Sequence, residues 1–255
     1  MKRFATAMIL ATAAAAAHGQ AASPSASAIK NVVLVHGSFA DGSGWLGVTT
    51  ILEKKGFHVS VVQVPETSLD DDVKATKRII DLQNGPTVLV AHSYGGVIAT
   101  EAGNDPKVVA LVYVAAFAPD EGEAAQDLLK KIPPASNAIT PTPDGFVYLN
   151  PATFHQDFAA DLPADQAHFM SLSQVLTNGA AFGQKMTVPA WKSKPSWAII
   201  ASEDRAINPA LESFMYKRAG SQVTEIKSSH VVYISHPKEV AAVIEKAAAG
   251  ASKSN

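Results

Sequence analysis

Six short strand-like runs, each separated from the next by a turn and a helical stretch or longer segment, constrain this chain more than any other feature. They are Asn31–His36 (NVVLVH), His58–Val64 (HVSVVQV), Thr87–Ala91 (TVLVA), Val108–Ala115 (VVALVYVA), Ser196–Ala201 (SWAIIA) and Gln222–Ile226 (QVTEI). The first and third are apolar at nearly every position, which suits strands buried on both faces. Helical periodicity fills several gaps: Trp45–Lys55 up to Gly56, Asp70–Gln83, Val97–Gly103 and Pro209–Ala219, with Pro237–Ala249 after the last strand. Three aspartates open the second helix, where the helix dipole favours anions. This alternation predicts an α/β architecture, a mostly parallel sheet with helices on both faces. One stretch breaks the rhythm. Residues 120–194 are rich in proline and lack a buried-strand pattern, with short helices expected only at Ala124–Lys131 and Ala164–Thr177. An insertion of that length usually covers or lines a site. The expected division is a core at 29–119 and 195–250 with a cap at 120–194.

The segment ahead of the first strand reads differently. Lys2 and Arg3 precede an apolar, alanine-rich run from Phe4 to Ala17, and small and polar residues follow to Ala28. That is the three-part layout of a secretory signal, and the run is shorter than the roughly 20 residues of a membrane span. The charged start and the Ala-rich core occur together, which favours a leader over a disordered tail. Cleavage is expected near Ala21, with Ala17 and Ala28 as alternatives, giving a periplasmic or secreted product without a membrane span. The formal net charge is −2 with no basic patch, which argues against a nucleic-acid partner. The absence of cysteine excludes a disulfide scaffold, a thiol nucleophile, a cysteine-ligated zinc and an iron–sulfur cluster.

Chemistry concentrates at Ala91-His92-Ser93-Tyr94-Gly95-Gly96, between a buried strand and a helix. The pattern is close to the nucleophile elbow G-x-S-x-G, with Ala91 in place of the first glycine. A serine hydroxyl is a weak nucleophile until a sharp turn lifts it clear of the sheet and a base meets it. The competing reading is a capping serine in an ordinary strand–helix turn. Other parts appear in the order this chemistry needs. His36-Gly37-Ser38-Phe39 follows the first strand, so the amides of Ser38 and Tyr94 are the candidate oxyanion donors, with Phe39 as rival to Ser38. The ring of His36 reads as a buried structural histidine. Glu203 and Asp204 follow the strand SWAIIA, and either could orient a base or simply pair with Arg205. His230 follows the last strand and is the candidate general base. His92 precedes the nucleophile, His155 and His168 fall in the insertion, and His236 ranks well behind His230. A His230/His236 metal pair lacks a third ligand.

These residues resemble the α/β-hydrolase superfamily, and most nearly its branch of plant methylesterases, hydroxynitrile lyases and small bacterial serine esterases. The carriers are VLVHG at 33–37, AHSYGG at 91–96, AAFAPD at 115–120, SEDR at 202–205 and SSHVVYISHP at 228–237. The resemblance spans Val32 to Ile244. It implies an α/β-hydrolase fold of about six strands with an inserted cap, no cofactor, and Asp204 as the third member of a Ser93–His230–Asp204 triad. Lyases of this branch carry threonine at the position of Gly37 and lysine just after the catalytic histidine. Here the residues are Gly37 and Val231, which points to ester hydrolysis. Ser93 excludes the aspartate-nucleophile chemistry of dehalogenases and epoxide hydrolases. The expected protein is a secreted serine carboxylesterase acting on a small-molecule ester. Perhydrolysis, cofactor-free oxygenation and non-catalytic ligand binding are the alternatives. Phe146, Phe154, Phe158, Phe169, Met170 and Trp191 are candidates to line the pocket or to form the cap's own core.

Overall fold

The computed structural model describes Met1 and residues 29–252. Apart from Met1, the expected leader at 1–21 and its cleavage points lie outside the described residues. In chain order the first half comprises β1 (Asn31–Val35), α1 (Leu46–Lys54), β2 (His58–Val62), α2 (Leu69–Asp81), β3 (Thr87–Ser93), α3 (Gly95–Ala102) and β4 (Val108–Ala116). An inserted segment follows with α4 (Ala125–Lys131), β5 (Ile139–Pro141), β6 (Phe146–Leu149), α5 (Pro151–Phe158), α6 (Ala164–Leu172) and β7 (Thr177–Asn178). The chain then returns through β8 (Ser196–Ala201), α7 (Pro209–Arg218), β9 (Gln222–Ile226), α8 (Val232–Ser235) and α9 (Pro237–Ala251). No helix among the described residues is long and apolar enough to cross a membrane.

The six expected strands form one parallel sheet, in the order β2-β1-β3-β4-β8-β9. Alternate side chains enter two cores. Val32, Leu34, Val88, Val90, Val112 and Val114 pack on one face with residues of α1 and α9. Val33, Val35, Leu89, Leu111 and Tyr113 pack on the other with α2, α3 and α7. Both faces are dry, which is why these strands read as continuous apolar runs. The chain leaves β1 in one direction to make β2 and returns to place β3 on the other side of β1. The carboxyl ends of β1 and β3 therefore flank the point where strand order reverses, the usual place for a site in an open α/β sheet.

The insertion differs from expectation. It holds a three-stranded antiparallel sheet, β5-β6-β7, and an additional helix, α5. The second expected helix stops at Leu172 instead of Thr177. Strands of two to four residues, only partly buried, leave almost no periodic signal, and Pro141 sits at the end of β5. Pro151 begins α5 at the first helical position behind Asn150, whose side chain accepts the Ala152 N–H, so the proline there starts a helix.

Candidate active site

Ser93 ends β3 with a left-handed backbone, φ +54°. For a non-glycine residue that conformation costs about 1–3 kcal/mol and must be held by its surroundings. The holding is visible. The Phe117 N–H donates to the Ser93 carbonyl at 3.1 Å, and α3 begins two residues on. A Cβ on Gly95 would sit 2.5 Å from the His36 carbonyl oxygen, and one on Gly37 would sit 2.5 Å from Ser93 Cβ. The turn after β1 and the elbow after β3 thus touch backbone to backbone. This brings Ser38 beside Ser93 at the switch point. The amides of Ser38 and Tyr94 donate to no acceptor among the described residues, and Tyr94 caps the N-terminus of α3, where positive potential gathers.

The three residues expected as a triad meet. His230 Nε2 lies 2.8 Å from Ser93 Oγ, and His230 Nδ1 lies 2.5 Å from Asp204 Oδ2. All three side chains are buried. Asp204 Oδ1 accepts the N–H groups of Ala206 at 2.7 Å and Ile207 at 2.9 Å, so both carboxyl oxygens are engaged and its orientation is fixed. Glu203 instead faces solvent near Lys227, 3.5 Å away. Arg205 pairs with neither acid but with Asp157 of α5, at 3.0 Å. With Asp204 on Nδ1 of His230, the Nε2 position is free to take the Ser93 proton.

Other histidines take supporting places. His92 Nε2–H donates to the His230 carbonyl at 3.0 Å, and the two rings lie 4.6 Å apart. Burial and the nearby His230 push the His92 pKa well down, so it stays neutral and braces the loop. His36 Nε2 accepts the Val64 N–H at 3.1 Å, which leaves the proton on Nδ1 to donate to the Gly37 carbonyl at 3.0 Å. That is the structural role expected of it. His236 caps α9 away from Ser93, and no cluster of metal-ligating side chains occurs among the described residues.

Ser93 and His230 open into a cavity of about 40 Å³ lined by Ser38, Phe39, Phe117, Leu129, Leu149, Asp157, Phe158, Phe182 and Ile207, among others. Of the six apolar insertion residues named from sequence, Phe158 alone reaches this cavity, with its ring 4.9 Å from that of His230. Phe154 packs behind it at 5.0 Å. Phe169 and Met170 line a groove of about 400 Å³ that shares Phe39 with this cavity, Phe146 lies in β6, and Trp191 donates to the Pro119 carbonyl at 2.9 Å. Sequence reasoning missed two acids that tie the insertion to the triad loops. Asp157 holds Arg205, next to Asp204. Asp161 accepts the Ser228 hydroxyl at 2.6 Å and the Ser229 N–H at 3.1 Å, next to His230. Both acids lie in or just after the proline-started helix α5.

Comparison with known proteins finds similar proteins and solved structures of this fold. The carbendazim hydrolyzing esterase of Nocardioides sp. is 32% identical over 123 residues, covering 42% of this chain and 51% of that protein. Methylesterase 4 of Arabidopsis thaliana is 23% identical over 249 residues, covering 84% of this chain and 95% of that protein. The crystal structure of a pyrethroid hydrolase from Sphingobium faniae superposes with a TM-score of 0.73 at 20% identity, covering 86% of this chain and 97% of that one. The model of the alpha/beta hydrolase family matches residues 32–243. That match spans the whole sheet, the elbow and the insertion between β4 and β8, and the chain belongs to the alpha/beta hydrolase family.

Proposed function

We propose that the protein is a serine carboxylesterase working through an acyl-enzyme. The observation that carries this reading is the buried relay Ser93–His230–Asp204, with spacings of 2.8 Å and 2.5 Å, beside two unengaged amides. Names among its relatives, a methylesterase and a carbendazim hydrolyzing esterase, support it. Ser93 Oγ bonds to the ester carbonyl carbon as its proton passes to His230 Nε2. The carbonyl oxygen becomes an oxyanion held by the Ser38 and Tyr94 amides, each donor typically worth about 3–4 kcal/mol. The carbon–alkoxy bond then breaks, and His230 gives its proton to the departing alcohol. Water, deprotonated by His230, attacks the acyl carbon, the bond to Ser93 Oγ breaks to release the carboxylic acid, and the His230 proton returns to Ser93.

Gly37 separates this chemistry from the cyanohydrin lyases the sequence resembles. Any Cβ there would lie 2.5 Å from Ser93 Cβ and 2.8 Å from the His92 carbonyl oxygen, so this backbone has no room for threonine. Val231 is buried and uncharged, and offers nothing to a departing cyanide. Export follows from the leader read in the sequence. The test uses the chain from Ala22 onward beside its Ser93→Ala variant on nitrophenyl acetate. Turnover by the parent with loss in the variant, at unchanged circular dichroism, is expected. Equal rates in the two would overturn the mechanism.

A further inference from the structure

Three acids are buried outside the triad; Glu212 lies against Asp204, and Glu66 and Asp72 have no place in that mechanism. Glu66 and Asp72 are both fully buried, and burying a carboxyl group is costly unless its oxygens are bonded. Asp72 lies in the first turn of α2. Its Oδ1 accepts the Glu66 N–H at 2.7 Å and its Oδ2 accepts the Tyr94 hydroxyl at 3.0 Å. Glu66 adopts a left-handed backbone, φ +56°. The Thr177 hydroxyl donates to its Oε2, and its own carbonyl accepts the Asn178 N–H at 2.8 Å. Thr177 and Asn178 are the whole of β7. The remaining oxygen, Oε1, lies 3.6 Å from His36 Nδ1, and the Phe39 N–H also lies against the carboxyl group.

Protonation follows from these partners. Burial lowers the His36 pKa and both its nitrogens are engaged as a neutral ring, so its contact with Glu66 is not an ion pair. Burial, with Asp72 nearby, pushes Glu66 up to about 9, so it is neutral at physiological pH. Burial raises Asp72 to about 6, against the two donors it accepts, so it is the anion of the pair at pH 7. The titratable groups facing Glu66 are therefore Asp72 from α2, His36 from the turn after β1, and Tyr94 from the elbow, whose hydroxyl is pushed upward by burial and by Asp72.

This hub touches both sides of the oxyanion site and the insertion above it. Tyr94 carries one of the two amides, and its ring is anchored at the far end by Asp72. His36 orients the carbonyl of Gly37, immediately before Ser38. Phe182 of the insertion lies against the Tyr94 ring, with centroids 5.3 Å apart, and also lines the cavity at Ser93. We propose that Asp72 and Glu66 are positioning residues for the oxyanion hole: Asp72 fixes the Tyr94 peptide through the Tyr94 hydroxyl, and Glu66 couples that alignment to the docking of β7. The proposal rests on the esterase reading of Ser93 and Tyr94.

The test compares steady-state kinetics on nitrophenyl acetate, with melting temperature alongside, for Tyr94→Phe, Asp72→Asn, Glu66→Gln and Glu66→Ala. Tyr94→Phe keeps the ring and removes only the hydroxyl. It and Asp72→Asn are expected to lower kcat about tenfold or more with KM within about twofold, because the oxyanion exists only after binding. Glu66→Gln imitates the neutral acid and should hold kcat near the parent value, whereas Glu66→Ala should not. The parent should lose kcat above about pH 9, where a second negative charge appears beside Asp72, and Glu66→Gln should keep it. Because the folded chain holds the Glu66 proton more tightly than the unfolded chain, the parent's melting temperature should fall as pH rises from the ordinary carboxylate range towards 9. That slope should flatten in Glu66→Gln. If Tyr94→Phe and Asp72→Asn both retain kcat within twofold, whatever their melting temperatures, the residues serve the fold alone and the proposal is overturned. A parent that transfers no acyl group overturns this proposal and the esterase reading together; an active parent with indifferent variants overturns this proposal only.

Discussion

At the scale of single residues, the site depends as much on absent atoms as on reactive ones. Gly37 and Gly95 let two turns approach until backbone meets backbone, and Ser93 accepts a left-handed conformation at their contact. Gly37→Ala places a methyl group 2.5 Å from Ser93 Cβ, against backbone that cannot swing away. It should lower kcat on nitrophenyl acetate by roughly 10²-fold, the loss typical of a misplaced oxyanion donor. Thermal unfolding should show a stability loss of about 1–3 kcal/mol for the overpacking. Wild-type kinetics in Gly37→Ala would contradict the backbone contact. Ser93 and His230 were legible in the sequence because each sits at or shortly after the end of a strand, where chemistry and turn residues are adjacent in the chain, and Asp204 rested on the family resemblance. Asp72 was not legible. It was read as one of three first-turn aspartates serving the helix dipole, yet it lies on the Leu69–Thr76–Ile80 stripe that faces the core. That position on the apolar face was the available signal. Glu66 offered none, since its partners, Thr177 and Asn178, are more than a hundred residues away.

At the scale of elements, the insertion is fastened to the loops that carry the triad. Asp157 of α5 holds Arg205, and the Ser136 N–H donates to the Arg205 carbonyl at 2.9 Å. Asp161 holds Ser228 and Ser229. Burial works against ionisation of Asp161, but the Ser228 and Ser229 donors outweigh it and hold its carboxyl below the usual aspartate value. The cavity at Ser93, lined by Asp157 and Phe158 of α5, is about 40 Å³, far below the roughly 300–1,000 Å³ of a typical ligand pocket. A cavity of this size favours a short acyl group, and a long one is expected to require displacement of α5. The parent should therefore prefer nitrophenyl acetate to nitrophenyl octanoate. Arg205→Ala, which frees Asp157, should shift the ratio of their kcat/KM values toward octanoate by roughly tenfold. An unchanged ratio would show that α5 does not limit the cavity. The sheet elements were legible from apolar patterning because both faces of each central strand are buried. The insertion was not: its strands are short and half-exposed, and its identity comes from contacts with distant loops. Pro151, one of the prolines of the 120–194 stretch, begins a helix.

At the scale of the whole molecule, sheet topology does the assembling. Ser38 follows β1, Ser93 ends β3, Asp204 follows β8 and His230 follows β9. All four strands run parallel, so their carboxyl ends lie along one edge of the sheet. Strand order reverses at β1 and β3, which puts the oxyanion turn against the nucleophile. The acid and base then enter from the far side in the order Ser–Asp–His. The insertion leaves the sheet after β4 and returns at β8, directly over that edge. Formation of a covalent acyl intermediate on Ser93 is tested by rapid mixing with nitrophenyl acetate. The expected result is a burst approaching one nitrophenolate per chain, with one acetyl group found on Ser93 by mass spectrometry after acid quench, and neither signal in Ser93→Ala. A parent that hydrolyses the ester with no acetyl on Ser93, or a burst that survives in Ser93→Ala, would contradict it.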